Sequence, residues 1–165
     1  MGYRGGPRSR VRAGGPPKRC ESEEETNEQK KTSKALLDIY RLFKEGNYDE
    51  ALKAAMEYTT NQSRSNFRKI YEMIIRTLEL IRRGKNIDDG VKNKILLELT
   101  KIDITIEYQK NRCVLEKDIA NSLKGALAEV RSHLKDNKFD DARKAAEALE
   151  LALNAVLAYK IAKNK

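Results

Sequence analysis

VKNKILLELTKIDITIEYQKNR (residues 91–112) decides whether this chain is all-helical or mixed. Ile95, Leu99, Ile102 and Ile106 recur at intervals of three and four, the spacing of one helix face. Ile102, Ile104, Ile106 and Tyr108 also alternate like a strand, and β-branched residues favour that conformation. The neighbouring segments resolve the conflict. Everything after about residue 32 has helical spacing, so a strand here would lack a partner, and a lone strand is not stable in water. The segment is read as helix four and the fold as all-α, a compact bundle of about five to six helices.

Helix one, near 33–45, uses Leu36, Leu37, Ile39, Tyr40 and Phe43, and Gly46 stops it. Helix two, near 48–60, follows so closely that the pair should form an antiparallel hairpin. Helix three begins after Ser65, read as its N-cap, and ends near Gly84, with Phe67, Ile70, Tyr71, Ile74, Leu78 and Ile81 on one face. GKNIDDG (84–90) reads as a loop. Helix five, near 116–135, has the stripe Ile119, Leu123, Leu127, Val130 and Leu134, with Gly125 inside it suggesting close packing. Helix six, near 139–162, is long and alanine-rich. KEGNYDEALKAA (44–55) and KDNKFDDARKAA (135–146) resemble each other and the turn between tetratricopeptide helices. They lie 91 residues apart, far from the period of about 34 in a true array, so the likeness is read as shared hairpin grammar.

Residues 1–31 form a separate tail, Arg/Gly-rich and then acidic, ahead of a helical domain at 32–165. MGYRGGPRSRVRAGGPPKRC (1–20) holds all three prolines and no acid, and has too little apolar surface to offset its ordering entropy; disorder is expected. It suits either loose binding of single-stranded nucleic acid or a solubilising leader. ESEEETNE (21–28) follows.

The 165 residues carry +9 net with a pI near 9.5, which favours an anionic partner. Cys20 and Cys113 form no CxxC and are read as unrelated thiols of a reducing cytoplasm. No transmembrane span or signal-peptide core is visible, and no Walker or dinucleotide glycine motif. His133 stands alone with Ser132 and no evident carboxylate to orient it, and Asp88-Asp89-Gly90 lacks the alternating oxygen ligands of a calcium loop. Neither an enzyme nor a metal or cofactor is expected. Peripheral membrane binding ranks last, since the chain has no Trp to anchor a basic face.

The charge is concentrated. Residues 61–85 hold seven Arg or Lys against two Glu. Arg64, Arg68 and Lys69 fall in the opening turns of helix three, where the helix dipole favours anions, and Arg76 follows off the apolar face. A phosphate backbone along this face would supply the missing anion. Lys110 and Arg112 close helix four, where cations suit the dipole in any case.

Three segments resemble the small helical subunit of type III-A CRISPR effector complexes, the Csm complex. SNFRKIY (65–71) is similar to its Ser-Gln-apolar-Arg-Lys helix opening, with Asn66 in the Gln place. LLELTKIDITIEYQKNR (96–112) is similar to a middle helix ending in tyrosine and then arginine. ALNAVLAYK (152–160) is similar to the close of the last helix. The resemblance spans 61–163, leaves out the hairpin at 32–60 and the tail, and lacks the family's middle-helix proline. It implies a non-catalytic subunit that stacks in several copies beside the other Csm subunits and holds target RNA paired to guide. By position it implies RNA contacts for Arg68, Lys69, Arg112 and Lys160, with Tyr108 and Tyr159 at aromatic positions. A tetratricopeptide-like protein–protein scaffold, with a groove between helices 1–2 and 5–6, is the alternative.

Overall fold

In the computed structural model, which describes residues 34–164, segment 91–112 begins inside one unbroken helix that ends at Asn111. The element order is α1 (Leu36–Lys44), α2 (Tyr48–Glu57), α3 (Arg64–Arg83), α4 (Asp89–Asn111), α5 (Lys117–Lys135) and α6 (Phe139–Val156), closing in a π-helical turn, Leu157–Ile161. No strand occurs among the described residues. The expectations for residues 1–31 lie outside them.

The alternation in α4 has a simple cause. Ile102 and Ile106 are buried, while Ile104 is 65% exposed and Tyr108 59%. Residues two apart on a helix lie about 200° apart, so a helix with two apolar faces mimics a strand's alternation. One face fills the core with Ile95, Leu99, Ile102 and Ile106; the other carries Leu97, Ile104 and Tyr108 in the open.

Short loops at 84–88, 112–116 and 136–138 make successive helices antiparallel neighbours. α3 packs on α4, α4 on α5, α5 on α6, and α6 back on α3, a closed ring of four. The α1–α2 hairpin covers one flank, with α1 against α5 and α6, and α2 along α6. Thus α6 touches α1, α2, α3 and α5, and its buried Ala142, Ala145, Ala146, Ala148, Ala152 and Ala155 let all four approach. Leucines and isoleucines from α1, α3 and α5, such as Ile39, Ile74 and Leu123, fill the space between, each stabilising by about 1.5–3 kcal/mol.

The two similar turns have one geometry. After α1, Gly46 takes φ 82, and the N–H groups of Gly46 and Asn47 bond back to the carbonyls of Phe43 and Leu42. After α5, Asn137 takes φ 58, and Asn137 and Lys138 bond back to Leu134 and His133 in the same way. Gly125 lies against Leu37, but a Cβ there would sit 3.5 Å from that side chain, an ordinary contact. Close packing therefore does not require the glycine. Cys113, at φ 59 after α4, holds no free thiol, contrary to the reading of two unrelated thiols; Cys20 is outside the described residues.

Candidate nucleic-acid interface

The antiparallel ring gathers the starts of α3 and α5 and the ends of α4 and α6 at one end of the bundle. A polar network locks this end. Gln62 is 2% exposed; its amide donates to the Val114 carbonyl at 3.0 Å, and its Oε1 accepts from the Glu116 N–H at 2.8 Å. Glu116 accepts from the Thr60 hydroxyl at 2.8 Å and the Asn61 N–H at 2.5 Å. Asp118 accepts from the Tyr58 hydroxyl at 2.6 Å and the Leu36 N–H at 3.4 Å. Burial first, and then the Asp118 carboxylate, raise the Tyr58 phenol well above the usual tyrosine range. From the C-terminal segment, Asn164 donates to the carbonyls of Gln62 at 3.0 Å and Thr60 at 3.4 Å.

This network presents the first turn of α3. Its N-cap is Ser63, not Ser65: the Ser63 hydroxyl accepts from the Asn66 N–H at 3.5 Å. Arg64 is therefore the first helical residue. No acid lies in this turn. Arg64 donates to the Ala162 carbonyl at 3.4 Å, which brings it to the segment that carries Lys160. Arg68 is exposed and donates to Glu72, four residues on, at 3.0 Å. Lys69 and Arg76 are exposed, and neither makes a hydrogen bond or ion pair among the described residues. Further along α3 two cations find partners. Arg82, lacking a local partner, ion-pairs with Glu150 of α6, and Arg83 lies 4.0 Å from Glu79.

The orientation of α3 divides the expected residues. Its Tyr71 bonds Asn154 and its Arg82 bonds Glu150, so that flank faces α6. At about 100° per residue, Arg64 and Arg68 project toward the α6 flank, whereas Lys69 and Arg76 turn toward α4. One group is thus Arg64, Arg68 and Lys160, where α3 starts and α6 ends. A second is Lys69 and Arg76, along the α3–α4 seam. Arg76 stands twelve residues beyond Arg64, roughly 18 Å up the helix. Exposed Lys94 and Lys101 of α4 border the same seam and were not anticipated; only their spacing on a helix of known orientation reveals them.

The third pair closes α4. Arg112 sits 5.4 Å from the Tyr108 ring centre and donates to its hydroxyl at 3.3 Å, forming an exposed cation-on-aromatic platform. Lys110 is drawn inward, 3.7 Å from Glu107 and 3.3 Å from Asn121 of α5. Glu107 also takes a hydrogen bond from Lys124, which, more than its other neighbours, holds its carboxyl below the usual range. Lys110 thus serves a helix junction.

Comparison with known protein families, curated proteins and solved structures found no match. Among the described residues no group of His, Cys, Asp and Glu could hold a metal ion, and no helix is long and apolar enough to cross a membrane. His133 has a carboxylate neighbour after all: Glu129, 3.7 Å from Nε2. Glu129 also accepts from the Tyr40 hydroxyl at 2.9 Å and pairs with Lys44, so the cluster fastens α1 to α5. Burial pushes the Tyr40 phenol up to about 12, with Arg41 pulling the other way.

Proposed function

We propose that the chain is a non-catalytic, RNA-binding small subunit of a cytoplasmic type III-A CRISPR interference complex. In this reading several copies stack beside the other Csm subunits and hold the target RNA backbone against the guide. The observation that carries it is the first turn of α3, with exposed Arg64, Arg68 and Lys69, no acid, and the N–H groups of Arg64 and Ser65 unpaired among the described residues. A phosphate there meets Coulomb attraction and helix-start donors together. Lys160 adds charge from the end of α6, and Arg112 on Tyr108 offers a surface for a base or ribose. Base pairing would read the sequence while the protein holds backbone charge. The resemblance of SNFRKIY and ALNAVLAYK supports the same reading.

One observation favours a protein–protein scaffold instead: Tyr48, Leu52 and Met56 form a bare apolar stripe on α2, beside a turn like the one between α5 and α6. Salt separates the two readings, because phosphate contacts fall steeply with ionic strength and an apolar groove does not. Arg68→Glu with Lys69→Glu should weaken binding of single-stranded RNA at low salt with circular dichroism unchanged. Equal affinity would remove both residues from the site. Copurification of guide RNA and CRISPR subunits with the tagged chain tests the assembly.

A further inference from the structure

Two helices expose apolar side chains at helical spacing, and they lie on opposite flanks of the bundle. On α4, Leu97, Ile104 and Tyr108 point away from the core; this helix packs on α3 and α5, and no helix among the described residues covers its outer side. On α2, Tyr48, Leu52 and Met56 repeat at every fourth residue; this helix packs on α1 and α6 and is likewise bare outside. The rims have opposite signs. Lys94 and Lys101 border the α4 stripe on one side, with Glu98 paired to Lys101 at 3.2 Å, and on the other side Glu107 is taken up by Lys110 and Lys124. Asp49, Glu50 and Glu57 border the α2 stripe, against Lys53, and in the groove beside Tyr48 the charges of Lys44 and Lys144 are balanced by Glu45 and Glu147.

We propose that these faces bind each other between copies: the outer face of α2 of one copy docks on the outer face of α4 of the next. Charge decides the pairing. A symmetric α4–α4 contact would oppose cations to cations, and an α2–α2 contact carboxylates to carboxylates, whereas α2 on α4 matches both the apolar stripes and the rims. Because the two patches differ and lie on opposite flanks, the contact is heterologous and propagates into a row of copies. It gives surfaces to the stacking proposed above and rests on that reading for the presence of several copies. Leu97 and Ile104 carry the contact on α4, and Tyr108, at the end of the stripe, stays with Arg112.

Sedimentation velocity of the full chain over a concentration series at low salt tests it. Wild type should show species above the 18.9 kDa monomer, growing with concentration. Ile104→Asp and Met56→Lys should each remain at monomer mass with helix content intact, and Leu97→Asp and Leu52→Lys provide a second pair on the same faces. The decisive sample is an equimolar mixture of Ile104→Asp and Met56→Lys. Each retains one intact face, so the mixture should form dimers and nothing larger. Wild type monomeric throughout, assembly surviving Met56→Lys, or a mixture without dimers would each overturn the contact. A short single-stranded RNA spanning one copy is titrated in parallel. Its loss from wild type would count against the RNA reading alone, so the two failures are distinguishable.

Discussion

Two helices start at the same end of the bundle with opposite charge in their opening residues. α5 opens on Glu116 and Asp118, and both carboxylates are spent inside the molecule on Thr60, Asn61, Tyr58 and Leu36. α3 opens on Ser63, Arg64 and Ser65, with Arg68 and Lys69 one turn later and no acid. The dipole argument applies equally to both starts, so it cannot explain why one is built against it. The difference lies in what each end faces. The start of α5 faces the segment 58–62 and is satisfied by it; the start of α3 faces outward. Arg64 reaches the Ala162 carbonyl and Arg68 reaches Glu72, but no acid lies in the first turn and Lys69 has no partner among the described residues, the kind of local inconsistency expected where a ligand completes the structure.

The largest expected effect comes from breaking the link between the two starts. Gln62→Ala removes the partner of the Val114 carbonyl and of the Glu116 N–H in a nearly buried site. Each group left unpaired costs about 1–3 kcal/mol, which chemical denaturation would read directly. α3 should keep its helicity, since Ser63 still caps it, but lose its fixed position against α5. RNA affinity would then fall together with stability, unlike the Arg68→Glu and Lys69→Glu pair, which should reduce affinity alone.

Gln62 also marks where the sequence stops being legible. The helices themselves were readable, because apolar spacing reports which face is buried; even the ambiguous α4 was settled by what a strand would lack. The partners of Gln62 lie 52 and 54 residues away, and no periodicity connects them. The same holds for Arg82, whose partner Glu150 lies 68 residues away on α6; the Glu129–His133 pair, four residues apart within α5, was by contrast legible and was missed. Local charge counting therefore found the cations but could not tell which were occupied. Lys69 and Arg76 remain bare, and Arg82 does not. The N-cap of α3, read as Ser65 where the structure has Ser63, was a different miss. Both are good caps two residues apart, and only the Asn66 N–H distinguishes them.

A smaller effect appears in the pH dependence of the α5 side. Tyr58 donates to Asp118, and its raised pKa means that the folded state favours the neutral phenol. That stabilisation is complete below the ordinary tyrosine value of 10.0 and is lost as pH rises above it, because the unfolded chain ionises first. Tyr58→Phe should lower stability near neutral pH by about 1.5–3 kcal/mol, the range for a hydrogen bond to a charged group. It should also flatten the alkaline decline. Tyr40, whose phenol titrates at about 12, keeps part of that decline in the variant. A variant with the same alkaline profile as wild type would show that the phenol of Tyr58 is not protected. RNA affinity should not change, since the α3 start is untouched.

The smallest effect is the sharpest test of the comparison, because it gives α3 the charge that α5 has. Ser65→Glu places a carboxylate at the second helical residue while leaving Ser63 as the cap. By the dipole argument it should stabilise the fold by about 0.3–1 kcal/mol, visible as a slightly higher thermal midpoint. If the start of α3 is a phosphate site, the same change should weaken RNA binding. It should also flatten the dependence of log affinity on log salt by about 0.7, the value for one phosphate contact on a single strand. A gain in stability with a loss of affinity means that this start is left uncompensated for a ligand. A gain in stability with affinity unchanged means that its cations are only a solvated face, and that nothing distinguishes the two helix starts except chance of sequence.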